Sequence, residues 1–268
     1  MLTKLIKHEF TATGRFMWVI YAAMLLLSVA ANISLRYMQD SISHILRTIS
    51  VLLMIAWVLS LFVGAIAIFV LLIKRFHQNL LTDEGYLMFT LPGTVHHLVL
   101  SKLIVASIWY VVSVFVLILS VMIAVVDNEF MQVLMRGVQR MFQDLTARYA
   151  LNGIAVLAEF LVLLFVSIAG SCLMFYSAMS IGYGCVNHKA LKSVLAYFVM
   201  WFVMEAIGVT GLIQVGDAWF QPDSFWTRLT GMQATHVGML ISIGVSLVVA
   251  AVFYAITTWN LKKRLNLA

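Results

Sequence analysis

The chain has 268 residues, of which 63% are hydrophobic and 10% are charged, and its mean hydropathy is +1.02. Soluble domains carry about 25% charged residues, so this composition excludes a water-soluble globular protein and indicates an integral membrane protein. The formal net charge is +6. In a membrane protein basic residues mainly report which segments face the cytoplasm, so we expect membrane lipids and no nucleic acid as partners.

The chain begins with an amphipathic stretch, residues 1–16. Helical spacing places four apolar side chains on one face: Leu2, Leu5, Ile6 and Phe10. Lys4 and Lys7 lie on other faces, where they suit the anionic cytoplasmic leaflet. The pattern is typical of an N-terminal helix that lies in the membrane interface. The alternative is that these residues are only the polar start of the first membrane span.

Six apolar runs are long enough to cross a bilayer, which needs about 20 mostly apolar residues. They cover residues 17–35, 50–73, 103–126, 154–181, 194–214 and 237–259. Both prolines fall between these runs, so we predict uninterrupted helices. The predicted fold class is an all-α membrane protein, with residues 1–268 forming a single transmembrane domain of six transmembrane helices.

The distribution of basic residues predicts the orientation. If the N-terminus is cytoplasmic, 11 of the 17 Lys and Arg residues, including all eight lysines, lie on the cytoplasmic side. Short cytoplasmic loops are enriched in Lys and Arg, so the bias favours a multi-pass protein with both termini in the cytoplasm.

Residues 74–101 form the predicted cytoplasmic loop between the second and third spans. Thr82 is a suitable N-cap, and Asp83 and Glu84 suit the first turn of a helix, where the helix dipole favours negative charge. Pro92 would end that helix, because its ring clashes with a continued helical turn. The loop is therefore predicted to contain one short helix.

This short helix would expose three bulky apolar side chains: Tyr86, Leu87 and Phe89. Apolar side chains on an exposed helix favour docking into a protein pocket, and the alternative is that they lie on the membrane surface. After the proline, Thr94 can cap a further helix that runs through Lys102 into the third span.

Residues 127–150 form a predicted external loop with helical periodicity. Four charged side chains recur at a spacing of four: Arg136, Arg140, Asp144 and Arg148. Apolar residues recur on another face. Two interpretations are open: an external helix that meets an anionic headgroup or substrate, or an amphipathic extension of the neighbouring spans.

Two acidic residues, Glu159 and Glu205, fall within apolar runs. Carboxylates in a span are costly and usually face the bundle interior or a cavity, so both are candidates for a substrate path. Glu159 lies near the outer end of its run, and a water-exposed position is the alternative. Glu205 lies deeper, which favours a functional or inter-helix role.

The second external loop, residues 215–236, is rich in aromatic side chains. Four of them flank a proline: Trp219, Phe220, Phe225 and Trp226. Aromatic residues next to the ends of membrane spans usually anchor a protein in the membrane interface. A surface-lying or re-entrant hairpin that forms part of an external gate is the other interpretation.

The loop between the second and third spans also carries a family resemblance. Glu84-Gly85, then Leu91-Pro92, then Ser101-Lys102 at the start of a span resembles the pattern in permease subunits of type-2 ATP-binding-cassette (ABC) exporters. The longer string RFHQNLLTDEGYLMFTLP is similar to a group of bacterial permeases from Gram-positive organisms. The N-terminal amphipathic helix and the six spans match as well, so the resemblance covers nearly the whole chain.

The resemblance implies a permease that works in the bacterial cell membrane, paired with a second copy or a homologous permease. Each permease inserts its short cytoplasmic helix, the coupling helix, into an ABC ATPase subunit, which binds ATP and magnesium. ATP-driven closure of the ATPases then switches the permeases between inward and outward openings, exporting an amphipathic peptide, drug or lipid. The coupling residues carried over to this sequence are Asp83, Glu84, Gly85, Tyr86, Leu87, Phe89 and Pro92.

The chain itself carries no motif for chemistry. It contains no Gly-x-x-x-x-Gly-Lys-[Ser/Thr], His-Glu-x-x-His or Gly-x-Ser-x-Gly sequence. Two cysteines, Cys172 and Cys185, are too few for a disulfide framework or a zinc site. We therefore expect no enzyme activity, metal or cofactor on this chain. The alternative function is a membrane binding or immunity-type protein that sequesters a toxic peptide without pumping it.

Overall fold

The computed structural model describes residues 2–40, 44–82, 85, 94–125, 128–149, 153–185, 187–220, 228–229 and 231–263. Within these residues the chain forms seven α-helices and no β-strand. The helices are α1 (Leu2–Asp40), α2 (His44–Leu81), α3 (Val95–Val125), α4 (Asn128–Tyr149), α5 (Gly153–Tyr183), α6 (Lys189–Phe220) and α7 (Gly231–Lys263).

Six of the described helices, all except α4, are long and apolar enough to cross a membrane. Five of them contain a predicted span, and α3 contains all of the third predicted span, 103–126, except its last residue. The predictions of an all-helical fold and of six spans are therefore confirmed, and the chain is a multi-pass membrane protein.

The helices extend beyond the apolar runs that predict them. α1 is continuous from Leu2 to Asp40, with no break at the predicted boundary after residue 16. α2 continues to Leu81 and α3 begins at Val95, so the connection between them is residues 82–94 rather than 74–101. Hydropathy detects the part of a helix that lipid covers, whereas backbone hydrogen bonding continues into the polar residues on either side.

The later connections are shortened in the same way. Most of the predicted external loop 127–150 is the helix α4, as its periodicity indicates. α6 runs to Phe220 and α7 begins at Gly231, so the second loop predicted to be external is shortened from 215–236 to 221–230.

The chain groups into two compact units. Unit 1 comprises residues 1–75 and 100–138, and unit 2 comprises residues 76–99 and 139–268. In unit 1, polar side chains join α1, α2 and α3. The Tyr21 hydroxyl lies 2.7 Å from the Ser113 hydroxyl, and the Trp57 indole N–H donates to the Ser120 hydroxyl at 3.1 Å.

Unit 2 is organised around α5, which packs against both α6 and α7. Its aromatic rings stack in parallel, with Phe76 3.9 Å from Tyr176 and Phe175 4.3 Å from Tyr197 between centroids. A β-carbon added to Gly182 would lie only 2.4 Å from the backbone nitrogen of Ser193. Only glycine allows α5 and the start of α6 to approach this closely.

Candidate functional site

A buried ion cluster lies in unit 1 and consists of Glu9, Arg75 and Lys102. The Lys102 ammonium donates to Glu9 Oε1 at 2.6 Å, and Arg75 Nε donates to Glu9 Oε2 at 3.1 Å. Glu9 belongs to α1, Arg75 to the last two turns of α2, and Lys102 to the early part of α3. One carboxylate therefore joins three helices.

Burial makes this cluster energetically important. The side chains of Glu9 and Lys102 are 5% and 3% exposed, whereas that of Arg75 is 30% exposed. Removing a carboxylate and an ammonium from water costs several kcal/mol per ion, which close pairing and hydrogen bonds repay. Glu9 and Lys102 therefore depend strongly on one another, and Arg75 closes the exposed side of the cluster.

The sequence pattern predicts the apolar face of the N-terminal helix correctly, but the prediction did not include Glu9. Leu2, Leu5, Ile6 and Phe10 are half-buried, and Lys4 and Lys7 are exposed. Glu9 lies four residues after Leu5 and three after Ile6, so it shares their face and is buried with them. A carboxylate on an otherwise apolar helix face was the signal available in the sequence.

Further hydrogen bonds hold the α1 part of the cluster in place. The Thr13 hydroxyl donates to the Glu9 carbonyl at 2.7 Å and accepts from the Trp109 indole N–H at 2.8 Å. The Trp109 ring lies 5.3 Å from the Phe10 ring and 6.0 Å from the Tyr21 ring. The cluster is thus part of a packed junction, and a relative movement of α1 and α3 would disrupt several bonds together.

Gly85 is the described member of the predicted coupling residues. Its N–H donates to the Thr82 carbonyl at 2.8 Å, which turns the chain at the end of α2. An added β-carbon would lie 2.7 Å from the Leu80 carbonyl oxygen, so a side chain at this position would collide with backbone. The other predicted coupling residues lie outside the described residues: Asp83, Glu84, Tyr86, Leu87, Phe89 and Pro92.

The far end of this connection is fixed in unit 2. α3 begins directly after Thr94, as predicted, and the Thr94 carbonyl accepts from the His97 N–H at 2.9 Å. His96 then bonds to α7 through both ring nitrogens. Nδ1 lies 2.8 Å from the Tyr254 hydroxyl, and Nε2 accepts from the Lys262 ammonium at 2.8 Å.

The two carboxylates predicted for a substrate path have different surroundings. Both carboxylate oxygens of Glu159 lie 2.8 Å from His236 Nδ1, and each of these side chains is 22% exposed. Glu205 lies on an exposed part of α6 and has no hydrogen bond or ion pair to another described residue. His236, which sequence reasoning missed, is the partner that ties Glu159 of α5 to α7.

The predicted gate residues are only partly described. Trp219 and Phe220 are the last two residues of α6, so they extend a helix rather than a loop. Phe225 and Trp226 lie outside the described residues.

Within the described ranges, no three His, Cys, Asp or Glu side chains come together in a way that could hold a metal ion. No protein-family model, curated protein or solved structure matches the chain. The candidate site is therefore defined by its own geometry: a buried ion cluster that joins the two helices flanking residues 82–94 to the N-terminal helix.

Proposed function

We propose that the chain is the permease subunit of an ABC exporter in a bacterial cell membrane, with both termini in the cytoplasm. A separate ATPase subunit binds ATP and magnesium, and a second permease copy or a homologous permease completes the pathway. The complex moves an amphipathic peptide, drug or lipid outward by alternating access. Residues 82–94 receive the movement of the ATPase.

The buried ion cluster is the observation that carries this proposal. α2 and α3 are the helices that residues 82–94 connect, and the cluster ties one residue of each to Glu9. Separating a buried ion pair leaves an uncompensated charge, which costs about 3–5 kcal/mol. Helices joined in this way move together, so a displacement of the connection is passed to α1, α2 and α3.

Gly85 gives separate support to the residue pattern. Its close approach to the Leu80 carbonyl explains why position 85 of the pattern is a glycine. The bond from its N–H to the Thr82 carbonyl turns the chain directly after α2.

Copurification tests the proposal. The tagged full-length chain is purified from its native membranes, and we expect an ABC ATPase to accompany it and to hydrolyse ATP. A Glu84→Lys, Leu87→Asp double variant should lose most of the bound ATPase, because it reverses a charge and buries a carboxylate at the docking surface. Asp144→Lys in α4 is the matched control, because it makes the same sign change away from the connection.

Either of two results would overturn the proposal: no ATPase copurifies with the wild-type chain, or the double variant retains wild-type ATPase binding and hydrolysis. A sequestering protein is distinguished by a third measurement. Protection of cells against a toxic peptide that is unchanged when the ATPase partner is catalytically inactive would show that binding alone is sufficient.

A further inference from the structure

The helix α4 has a distinct apolar face that the proposed function does not use. Most of its apolar and polar side chains lie on different faces, with the exception of Val133, which is 62% exposed beside the charged residues. One face, which we call the apolar stripe, carries Leu134, Met135, Val138, Met141 and Phe142. The opposite face carries Gln132, Arg136, Gln139, Arg140 and Gln143. Spacings of three and four residues define a helix with one apolar side.

Most of the apolar stripe is exposed. Met135, Val138 and Met141 are 56%, 42% and 52% exposed. A β-carbon added to Gly137 would meet nothing within 4 Å. An apolar surface of this length next to a membrane requires a covering, because exposed apolar patches on proteins mark sites of membrane or protein association.

The chain connectivity identifies the covering. Two residues separate the end of α3 at Val125 from the start of α4, and three residues separate Tyr149 from the start of α5 at Gly153. Both α3 and α5 are long and apolar enough to span a membrane, whereas α4 is not among the candidate spans. A helix of 22 residues is about 33 Å long. Tethered at both ends to membrane spans, it is held at the membrane surface.

The charged residues fit the same location. Arg136 and Arg140 are exposed on the polar face. Arginine side chains on the polar face of a helix that lies in the interface are at headgroup level, where they can form charge-assisted hydrogen bonds with phospholipid phosphates. We infer that α4 is an in-plane membrane anchor, with its apolar stripe in the acyl boundary of the leaflet and its arginines on lipid phosphate. This inference is independent of any ATPase partner.

Site-specific fluorescence tests the orientation of α4. The full chain carries Cys172→Ala and Cys185→Ser, then either Met141→Cys or Gln139→Cys, each labelled with an environment-sensitive dye in phosphatidylcholine vesicles. Both positions are exposed in the chain without a membrane. If α4 were surrounded by water, the dye would therefore show the same emission and the same iodide quenching at both positions. We expect a blue-shifted emission at position 141 that spin-labelled lipids quench near the headgroup. Position 139 should be quenched by aqueous iodide instead.

Each other outcome overturns the inference. Iodide quenching at both positions places α4 in water, and deep lipid quenching at both places it across the bilayer. A shielded position 141 that lipids do not quench indicates a covering protein. The cysteine-free parent chain must retain the wild-type unfolding transition, so that a loss of quenching is not a loss of folding.

A second measurement tests the arginines. Arg136→Gln, Arg140→Gln in the Met141→Cys background should lose much of the lipid quenching, whereas the corresponding double lysine variant should retain most of it. Comparing phosphatidylcholine vesicles with and without phosphatidylglycerol separates phosphate binding from a requirement for anionic lipid. If the arginines bind phosphate, lipid quenching should occur in both kinds of vesicle, and it should be stronger in those that contain phosphatidylglycerol. Quenching that is unchanged by the glutamine substitutions would overturn the assignment of the arginines.

Discussion

The helices within unit 1 and the helices within unit 2 are joined by different sets of interactions. In unit 1, hydroxyl, indole and charged side chains reach between helices, as in the bond from Trp57 to Ser120 and the ion pair of Glu9 with Lys102. In unit 2, stacked rings and a close backbone approach at Gly182 add to polar pairs such as that of Glu159 with His236.

This difference has consequences for how each unit responds to substitution. Lipid tails are as apolar as leucine, so helix association in a membrane depends on close packing and on polar contacts. Unit 1 depends on polar partners, and it should be most sensitive to removal of a single charge. At Gly182 unit 2 depends on close approach, and it should be most sensitive to added volume there.

Two carboxylates show the contrast within a single residue type. Glu9 is 5% exposed and has two cationic partners, whereas Glu159 is 22% exposed and has His236. Water remains available to Glu159, so loss of its partner can be compensated. Glu9 has almost no contact with solvent and depends on its neighbours.

The largest expected effect is that of Glu9→Ala. The substitution leaves the Lys102 ammonium buried without its carboxylate, and removing one member of a buried pair costs about 3–5 kcal/mol. The free energy of unfolding, measured by denaturing-detergent titration in mixed micelles, should fall by this amount. A loss below about 1 kcal/mol, the range of exposed ion pairs, would contradict the burial of the cluster.

A double replacement separates charge from packing in this prediction. Glu9→Met with Lys102→Met removes both buried charges and keeps apolar volume, and replacing a buried ion pair by apolar side chains is often neutral or stabilising. The double variant should therefore be more stable than Glu9→Ala. If the double variant is no more stable than the single one, the cost comes from lost packing.

Gly182→Ala is expected to have the second largest effect, and it tests unit 2. The new β-carbon would lie 2.4 Å from the Ser193 backbone nitrogen, so α5 and α6 must separate. Overpacking of this kind typically costs about 1–3 kcal/mol. Gly170→Ala on the same helix is the control, because its β-carbon would be 3.9 Å from that of Ala250. The same unfolding titration should show no loss for the control.

Tyr21→Phe should have a smaller effect, and it tests the polar contacts of unit 1. The substitution removes bonds from the Tyr21 hydroxyl to Ser113 Oγ at 2.7 Å and to the Trp109 carbonyl at 3.2 Å. A hydrogen bond contributes about 0.5–1.5 kcal/mol net. Tyr197→Phe in unit 2 keeps a ring that can stack on Phe175. Equal losses of unfolding free energy in the two variants would contradict the contrast between the units.

The sequence was sufficient to predict the membrane class, the number of spans and the start of α3 directly after Thr94. These features follow from local properties: apolar run length, helical spacing and capping. Helix ends were less predictable, because hydropathy falls at Lys74 while hydrogen bonding continues to Leu81. A hydropathy profile cannot distinguish a helix that leaves the lipid from a helix that ends.

The candidate site was harder to predict than the fold. Glu9 and Lys102 are 93 residues apart in the chain, and nothing local indicates that they pair. The same holds for Glu159 and His236, which are 77 residues apart. Glu9 was nonetheless recognisable as unusual, since it is the acidic residue on the apolar face of the first helix. Pairings between distant helices depend on tertiary packing, which spacing within one helix does not specify.

The smallest expected effect is that of Glu159→Gln, which completes the contrast with Glu9. The amide keeps the shape of the side chain and can still hydrogen-bond His236, and the pair is partly exposed. Ion pairs with access to water contribute about 0–1 kcal/mol, and salt screens them. The unfolding free energy should therefore change by about 0.5 kcal/mol, and less at high salt. A loss as large as that of Glu9→Ala would mean that Glu159 depends on its partner as strongly as a fully buried charge, and that burial does not separate the two carboxylates.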